Sequence, residues 1–243
     1  MKRLHSEIIQ KLLLLKKLMD TQGTWTKADT LSNQIGLSTF TTRELIKNLA
    51  VDFRENEIGA QLEMIKQRGV LLENCDHIQF SKLRKILVTD SIEYNLIKHF
   101  FSHNITNYYN YCTEYHISMP TLRRRLNEIN EAVGSYGIKL WKNAIEGDER
   151  IIRSFLTQYF YEIHSGSCWP FSQSDRETIL HLISQMERNF GFSLTKESKE
   201  LLAYLWTVSK IRRENQNFIK IPIYECVEFC SNNPYFSVFT DIY

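Results

Sequence analysis

Motifs of the common nucleotide-binding and hydrolytic enzymes are missing from this 243-residue chain. Its nine glycines are scattered singly, and they form no P-loop, no GxGxxG fingerprint and no GxSxG elbow that would present a nucleophilic serine. The sequence therefore offers neither a nucleophile nor a phosphate cradle of a familiar kind. We expect no enzymatic activity, no catalytic residue, no cofactor and no metal.

Paired cysteines and long apolar runs are also missing. The five cysteines form no C-x-x-C pair, and the odd count favours reduced thiols in the cytoplasm. The apolar run Leu12–Leu15 is flanked by Lys11 and Lys16 and is too short for a membrane span or a secretory signal. We therefore expect a cytoplasmic protein without membrane contact.

A strong positive charge is the third missing feature. The formal net charge of +2 is weak for a protein that binds nucleic acid. The charge is uneven, because residues 1–150 hold 21 Lys and Arg against 18 Asp and Glu, whereas residues 151–243 hold 9 against 10. Residues 116–127 contain three arginines and no acid. Since local fields govern phosphate contact more than total charge does, a nucleic-acid partner remains compatible with this composition.

A twelve-residue pattern that occurs twice is the most informative feature present. Residues 38–49 and 118–129 align without a gap at a distance of 80 positions. Each copy follows a short apolar turn, at residues 35–37 and 115–117. A short helix, a tight turn and a second helix are typical of a helix-turn-helix, and their repetition in one register makes double-stranded DNA the leading partner.

The turn residues have physical reasons to be there. Gly36 suits a tight helix-to-helix connection because glycine adopts positive φ without strain. His116 holds the same place in the second copy and is among the residue types more often seen in that region. Ser38 and Ser118 are predicted N-caps, whose hydroxyls accept hydrogen bonds from the first N–H groups of the next helix.

Spacing divides each of these second helices into a buried and an outward face. The buried stripes, at steps of four and three, are Thr42, Ile46 and Leu49 in the first copy and Leu122, Leu126 and Ile129 in the second. The outward positions predicted to contact DNA are Thr39, Phe40, Arg43 and Lys47 in the first copy and Met119, Arg123, Arg124 and Asn127 in the second. A helix with a polar, basic outer face is what enters a major groove.

Three residues of these two helices carry more specific expectations. Arg123 lies one turn into its helix and is best placed for a bidentate contact with guanine. Phe40 either touches a thymine methyl group or packs on the neighbouring hairpin. Arg125 aligns with Leu45, a position turned partly toward the protein, so we expect it to clamp the backbone or form an internal ion pair rather than contact a base.

A β-hairpin is predicted after each copy. The first covers residues 63–72 with a loop at residues 67–69, and the second covers residues 136–147 with a loop at residues 142–144. A helix-turn-helix followed by a hairpin is a winged helix. The predicted wing contacts to phosphate or to the minor groove are Arg68, Lys139 and Lys142.

Three alternatives stay open. The chain could be a helical protein-interaction or regulatory module whose winged helices bind partners rather than DNA, and weak salt dependence would favour that. RNA binding is a second alternative, although the helical beginning of the chain opposes it. A metal site is the third, because four residues have zinc-ligand types at spacings of four: His99, His103, Cys112 and His116. The first two lack the glutamate of an H-E-x-x-H motif, and His116 falls in the predicted turn.

Residues 118–171 resemble the Mga family of Gram-positive transcriptional regulators. Residues 145–155 contain that family's Ile-x-Gly-x-Glu-x-x-Ile-Arg-x-Phe signature, and Trp169-Pro170-Phe171 is similar to a recurring element of its next domain. The resemblance implies an activator of promoters, often of virulence and surface-protein genes, with a helical regulatory domain related to sugar-phosphotransferase regulation domains (PRD). It further implies partners among sugar-phosphotransferase-system proteins and assembly into a homodimer or higher oligomer.

The predicted architecture is mainly α, with two tandem winged helix-turn-helix domains followed by a PRD-like helical domain. The boundaries are 1–80, 81–147 and 148–243, and the third domain is expected to be incomplete because members of the family are usually longer. The three predicted apolar stripes there are Ile151 to Ile163, Ile179 to Phe190 and Leu201 to Ile211. His181 and Arg188 match a loose pattern of phosphorylated regulation domains, so His181 is the candidate phosphorylation site, with His164 a weaker one.

Overall fold

The computed structural model describes residues 5–102, 107–142, 144–165 and 169–220. Within these residues the chain forms ten α-helices and two antiparallel hairpins, which confirms the mainly helical class. The helices are α1 Ser6–Asp20, α2 Ala28–Ile35, α3 Thr39–Glu55, α4 His77–Thr89, α5 Ile92–Ser102, α6 Tyr108–Glu114, α7 Met119–Val133, α8 Glu149–His164, α9 Gln173–Phe190 and α10 Lys196–Glu214. The strands are β1 Gln61–Ile65, β2 Gly69–Glu73, β3 Lys139–Trp141 and β4 Ala144–Glu146. No helix of the described residues is long and apolar enough to cross a membrane.

The first unit, residues 6–73, surrounds an apolar core of its own. Helices α1, α2 and α3 pack together beneath the hairpin β1–β2, and Thr26 forms a β-bridge to Val70 of β2. The side chains that are almost completely buried in this core are Leu14, Leu15, Leu18, Leu31, Ile46, Leu49, Val70 and Leu72. Helix α1 is therefore part of the first unit, as its amphipathic pattern predicts.

Helix α4 connects the first unit to the rest of the molecule. Asp76 begins it with a capping box, in which its carboxylate accepts from the backbone of Gln79 and the Gln79 side chain accepts from the backbone of Asp76. Leu83 packs into the core of the first unit, whereas Val88, near the other end, packs into the next core. The predicted boundary after residue 80 falls inside this helix.

The second unit, residues 92–146, shares its core with the helices that follow. Leu122 and Ile129 of α7 belong to the same buried cluster as Leu156 of α8 and Tyr204 and Val208 of α10. The cluster therefore continues across residue 147, where the third domain is predicted to begin. The division into three domains stays a prediction.

Three details of the apolar pattern differ from the predictions. On α10, Leu201, Leu202 and Leu205 of the predicted stripe are exposed, whereas Val208 is buried as predicted. The other buried residues of this helix are Ala203, Tyr204, Thr207 and Arg212. On α1, the helical spacing predicts a stripe of Leu4, Ile8, Leu12, Leu15 and Met19. The buried side contains Leu12 and Leu15 but also Leu14 and Leu18, so it is rotated from that stripe. Tyr136 lies in a 3₁₀ turn, Gly134–Tyr136, rather than in the second hairpin.

The Trp-Pro-Phe element closes the core beside α10. The Trp169 ring lies 4.5 Å from the Tyr204 ring, and the Phe171 ring lies 5.2 Å from that of Phe160. The Trp169 indole N–H donates to the Ser172 carbonyl at 3.1 Å, which satisfies its polar atom. These contacts give the element a structural role between α8 and α10.

Candidate nucleic-acid interface

The turns of the two units have the same backbone geometry. The turn residue is left-handed in both, with φ of 69° at Gly36 and 51° at His116. The next amide donates back across the turn in both units, from Leu37 to Ser32 O at 3.1 Å and from Ile117 to Cys112 O at 3.0 Å. The predicted positive φ is confirmed at both positions.

The N-caps are also the same. The Ser38 hydroxyl accepts from the Thr41 amide at 3.1 Å, and the Ser118 hydroxyl accepts from the Thr121 amide at 3.2 Å. The hydroxyl oxygen of each serine also lies close to the hydroxyl oxygen of that threonine, at 2.8 Å in the first unit and 2.9 Å in the second. The cap fixes the start of α3 and of α7, so both helices leave their turns at a defined angle.

The predicted buried stripes are confirmed, and they leave a polar outer face on each helix. Thr42, Ile46 and Leu49 are buried in α3, and Leu122, Leu126 and Ile129 are buried in α7. The positions exposed on these outer faces are Phe40, Arg43, Lys47 and Asn48 on α3 and Pro120, Arg123, Arg124 and Asn127 on α7. Two predicted contacts are less accessible, because Thr39 and Met119 are half-buried.

The outer face of α3 combines an apolar tip with moderate charge. Phe40 is 76% exposed and does not pack on the hairpin. Lys47 is bound to Glu44 at 2.7 Å, which offsets its charge. Thr39 places its hydroxyl 3.4 Å from that of Ser32, so it ties α3 to α2. Arg43 is the cation of this face without an ion pair in the described part of the chain.

The outer face of α7 is more strongly basic. Arg123 is exposed and forms no ion pair with any described residue, and Arg124 makes a loose contact with Glu128 at 3.9 Å. Met119, in the first turn of α7, packs against the core that the second unit shares with α8 and α10. Arg123, Arg124 and Asn127 therefore remain the predicted contacts of this helix that are fully presented to solvent.

Arg125 faces the protein, as its alignment with Leu45 predicts. Its guanidinium lies 3.0 Å from Glu93 of α5 and 3.0 Å from Glu128. Burial alone would lower the pKa of Arg125, but the hydrogen bond to Glu128 and the charges of both carboxylates outweigh it and raise that pKa. The internal ion pair, one of two expectations for this residue, is present.

A cavity between α3 and the first hairpin adds two cations that the sequence predictions missed. It has a volume of about 530 Å³ and is lined by Arg43, by Lys27 at the start of α2 and by Lys66 in the hairpin loop. A helix N-terminus with an adjacent lysine attracts phosphate. The signal in the sequence was a lysine directly before a helix start and another inside a hairpin loop.

The predicted wing cations lie on the hairpins, each with a different environment. Arg68 follows β1 and stacks over Trp25 at 5.9 Å, and Lys139 of β3 lies 4.8 Å from the ring of Trp141. Lys142 is exposed after β3 with a φ of 44°. All three are exposed to solvent.

The residues of the Ile-x-Gly-x-Glu-x-x-Ile-Arg-x-Phe signature join the second hairpin to α8. Glu149 binds Arg153 at 2.9 Å and Arg212 of α10 at 2.6 Å. Arg212 is 1% exposed, and its Nη1 atom has no hydrogen-bond partner among the described residues. Gly147 approaches the Gly137 carbonyl so closely that a Cβ atom would lie 2.7 Å from it. The signature thus holds together the joint between the second unit and the C-terminal helices.

The candidate metal and phosphorylation residues lie in different environments. Among the described residues, no group of three or more His, Cys, Asp or Glu side chains could hold a metal ion. His99 donates to or accepts from Tyr115 at 2.8 Å, and burial lowers the pKa of His99, while the charge of Glu114 opposes the shift. His103 lies outside the described residues. His181 is exposed on α9, whereas His164 is buried against Tyr94 at 2.8 Å.

Comparison with known proteins gives two similarities. Residues 76–160 match the Mga helix-turn-helix domain, so the match runs from the cap of α4 into α8 and contains the second unit. The chain is also 22% identical over 156 residues to a protein of Streptococcus pneumoniae serotype 4 (strain ATCC BAA-334 / TIGR4) that bears the name "Putative trans-acting regulator". This similarity covers 63% of the present chain and 32% of the relative, so the chain spans about a third of the relative's length. Residues 76–160 are thus similar to a helix-turn-helix domain of Mga-type regulators.

Proposed function

We propose that this protein is a DNA-binding transcriptional regulator of the Mga type, acting in the cytoplasm as an activator. The two units serve as winged helix-turn-helix readers, and the helices after residue 148 serve as a PRD-like regulatory region. The match of residues 76–160 to the Mga helix-turn-helix domain and the regulator name of the pneumococcal relative support this function.

The observation that carries the proposal is the repeated turn. In two segments 80 positions apart, the turn residue has a left-handed backbone and a serine caps the following helix. That helix has a basic outer face in both segments. A shared solvated bundle surface would not require both caps and both turns in one register. Two helices presented in the same way are suited to two successive major grooves.

In this mechanism the two kinds of contact have separate tasks. Cations on the hairpins and beside α2 position the protein on the phosphates, and Arg123, Arg124 and Asn127 contact base edges. Because two readers in one chain span a long site, bending of the DNA contributes to the choice of sequence. No step of bond making or breaking is involved.

Fluorescence anisotropy of the full chain with duplex DNA, titrated over a salt series, tests the function. We expect a steep fall of affinity with salt, with a slope that reports the number of phosphates neutralised, about 0.9 per contact for duplex DNA. Absence of binding at low salt would contradict the proposal. Binding that barely depends on salt would favour the alternative in which the units bind a protein partner.

A further inference from the structure

A cavity among the C-terminal helices has a chemical character that DNA binding does not use. It lies between α8, α9 and α10, away from α3 and α7, and has a volume of about 300 Å³. Its polar lining includes Arg153, Lys210, Arg213 and Asp175, together with the hydroxyl of Ser209. Three cations therefore surround one space that contains one carboxylate.

The ion pairs leave this cavity with excess positive charge. Lys210 binds Asp175 at 2.7 Å and lies 3.9 Å from the exposed Glu214, so its charge is offset. Arg153 binds Glu149 at 2.9 Å, but that carboxylate is shared with Arg212. Two guanidinium groups thus depend on one carboxylate, which cannot neutralise both.

Two further arginine side chains add to the positive character of this region. Arg213 forms no ion pair with any residue that the structure describes, although it lines the cavity. Arg212 is paired with both oxygens of Glu149, but its buried Nη1 atom lacks a hydrogen-bond partner within the same residues. A buried N–H group without a partner is costly, which adds to the demand for negative charge around Glu149.

The hydrogen-bonding groups suit a tetrahedral anion. Arginine binds phosphate through paired N–H groups, and lysine adds a point charge. Thr178 already donates its hydroxyl hydrogen to the Ser174 carbonyl at 3.0 Å, so Ser209 is the hydroxyl of this cavity that is available to donate. Arg153 already donates through Nε to Glu149 and through Nη2 to the Asn217 carbonyl, and Lys210 donates to Asp175. The Arg213 guanidinium, the Ser209 hydroxyl and the remaining N–H groups of Arg153 and Lys210 can together serve three oxygens, whereas a carboxylate has two.

The opposite wall of the cavity is apolar. Ile179, Leu182 and Trp206 line it, and Ile179 and Trp206 belong to a small apolar cluster between α9 and α10. A free inorganic anion would leave this wall exposed to water. A volume of about 300 Å³ lies at the small end of ligand sites and accommodates an ester of a few carbon atoms.

We propose that this cavity binds a small phosphate monoester. Arg153, Lys210 and Arg213 hold the dianionic phosphate, Ser209 donates to one of its oxygens, and Ile179, Leu182 and Trp206 contact the organic part. The site is independent of the DNA-contacting surfaces, so the proposed DNA binding and this site can fail separately.

Isothermal titration calorimetry of the full chain, without DNA and at constant ionic strength, tests the site. Glycerol 3-phosphate and inorganic phosphate are the probes. We expect saturable binding of one equivalent of glycerol 3-phosphate, several times tighter than that of inorganic phosphate because of the apolar wall. Equal affinities would contradict the assignment to an ester, and the absence of saturable heat for both probes would overturn the site.

One variant is expected to weaken binding of the ester and another to tighten it. General damage to the fold would weaken binding in both, so the pair separates the two causes. Arg213→Gln removes an unpaired cation and should weaken binding about tenfold, as the loss of one charge-assisted hydrogen bond does. Asp175→Asn removes the competing carboxylate and should tighten binding. Arg188→Gln, at an exposed position of α9 outside the cavity, is the matched control and should leave the affinity unchanged. Equal effects of Arg213→Gln and Arg188→Gln, or weaker binding by Asp175→Asn with an unchanged melting temperature, would contradict the proposal.

Discussion

The first and second units have the same turn geometry, but the cores beneath their turns differ. In the first unit, the core is closed by the unit's own helices together with the start of α4, and the position after the turn that faces the protein is Leu45. In the second unit, the aligned position is Arg125, held by Glu93 and Glu128, and the core continues into α8 and α10. The comparison shows that a local turn geometry does not depend on the kind of core beneath it.

The difference between the units has a functional consequence. A change in α8 or α10 reaches α7 through shared buried side chains, whereas α3 has no such contact with the C-terminal helices in its core cluster. Coupling needs a physical path with two arrangements. Helix α7 shares its core with α8 and α10, whereas α3 is connected to that core indirectly through α1, where Ile8 packs against it. The second unit is therefore the one with the more direct path to the C-terminal helices.

The largest expected effect comes from removing the shared carboxylate at the joint. Glu149→Gln leaves two guanidinium groups, Arg153 and the 1% exposed Arg212, without their counter-charge. Breaking a buried ion pair by removing one partner typically costs about 3–5 kcal/mol of unfolding free energy. Urea denaturation measures this loss, and amide hydrogen exchange should speed up in α7, α8 and α10 more than in α3.

Glu197→Gln, at an exposed position in the first turn of α10, is the control for the Glu149 variant. It removes the same charge where solvent screens it, so we expect a change within about 0.5 kcal/mol. Equal protection loss in α3 and α7 after Glu149→Gln would show that the two units unfold together, and the proposed asymmetry would then be wrong.

The sequence predicted the local features of both units well. Ser38, Ser118, Gly36 and the buried stripes follow from spacing and capping alone, because each depends on neighbours within four or five residues. The role of Glu149 was not predicted. Its partner Arg212 is 63 positions away and belongs to a residue type that is seldom buried, so no local pattern could reveal the pair.

The first half of the stripe on α10 was predicted wrongly for a related reason, whereas Val208 is buried as predicted. Leu201, Leu202 and Leu205 are the more hydrophobic residues, but α10 turns the side of Tyr204 and Arg212 toward α8. Hydrophobicity alone could not identify that side, since the choice depends on the ion pair with Glu149 and on ring contacts with Trp169. For the proposed interface, spacing in the sequence identified the exposed arginines of α3 and α7. That Lys27 and Lys66 lie beside Arg43 depends on where the hairpin packs relative to α3, which spacing does not reveal.

The next effect in size compares the outer faces of α7 and α3 on DNA. Arg123→Ala and Arg124→Ala should each weaken binding by about 1–3 kcal/mol and relax sequence preference if they contact bases. Lys47→Ala should weaken binding less and about equally on all sequences, because its charge is already offset by Glu44 at 2.7 Å. Thr39→Ala should matter least, since that hydroxyl faces Ser32.

Anisotropy with a specific duplex and a scrambled duplex separates these outcomes. A base contact changes the ratio of the two affinities, whereas a phosphate contact changes both affinities and lowers the salt slope by about 1. Lys196→Ala, on the exposed first turn of α10, controls for the loss of a positive charge elsewhere. Unchanged affinity in both arginine variants would rule out α7 as the reading helix.

The smallest expected effect exchanges the turn residues of the two units. Gly36→His should destabilise the protein by up to about 1 kcal/mol, because the position has a φ of 69° and a side chain there is strained. No atom lies within 4 Å of a Cβ built at Gly36, so the cost arises from the backbone and not from a clash. His116→Gly, at a φ of 51°, should stabilise by about 0.5 kcal/mol, since relief of strain exceeds the entropy that glycine adds to the unfolded chain. Urea denaturation of both variants measures the two signs. If both changes destabilise, His116 contributes contacts that the turn geometry does not reveal, and the two turns are alike in shape but not in energy.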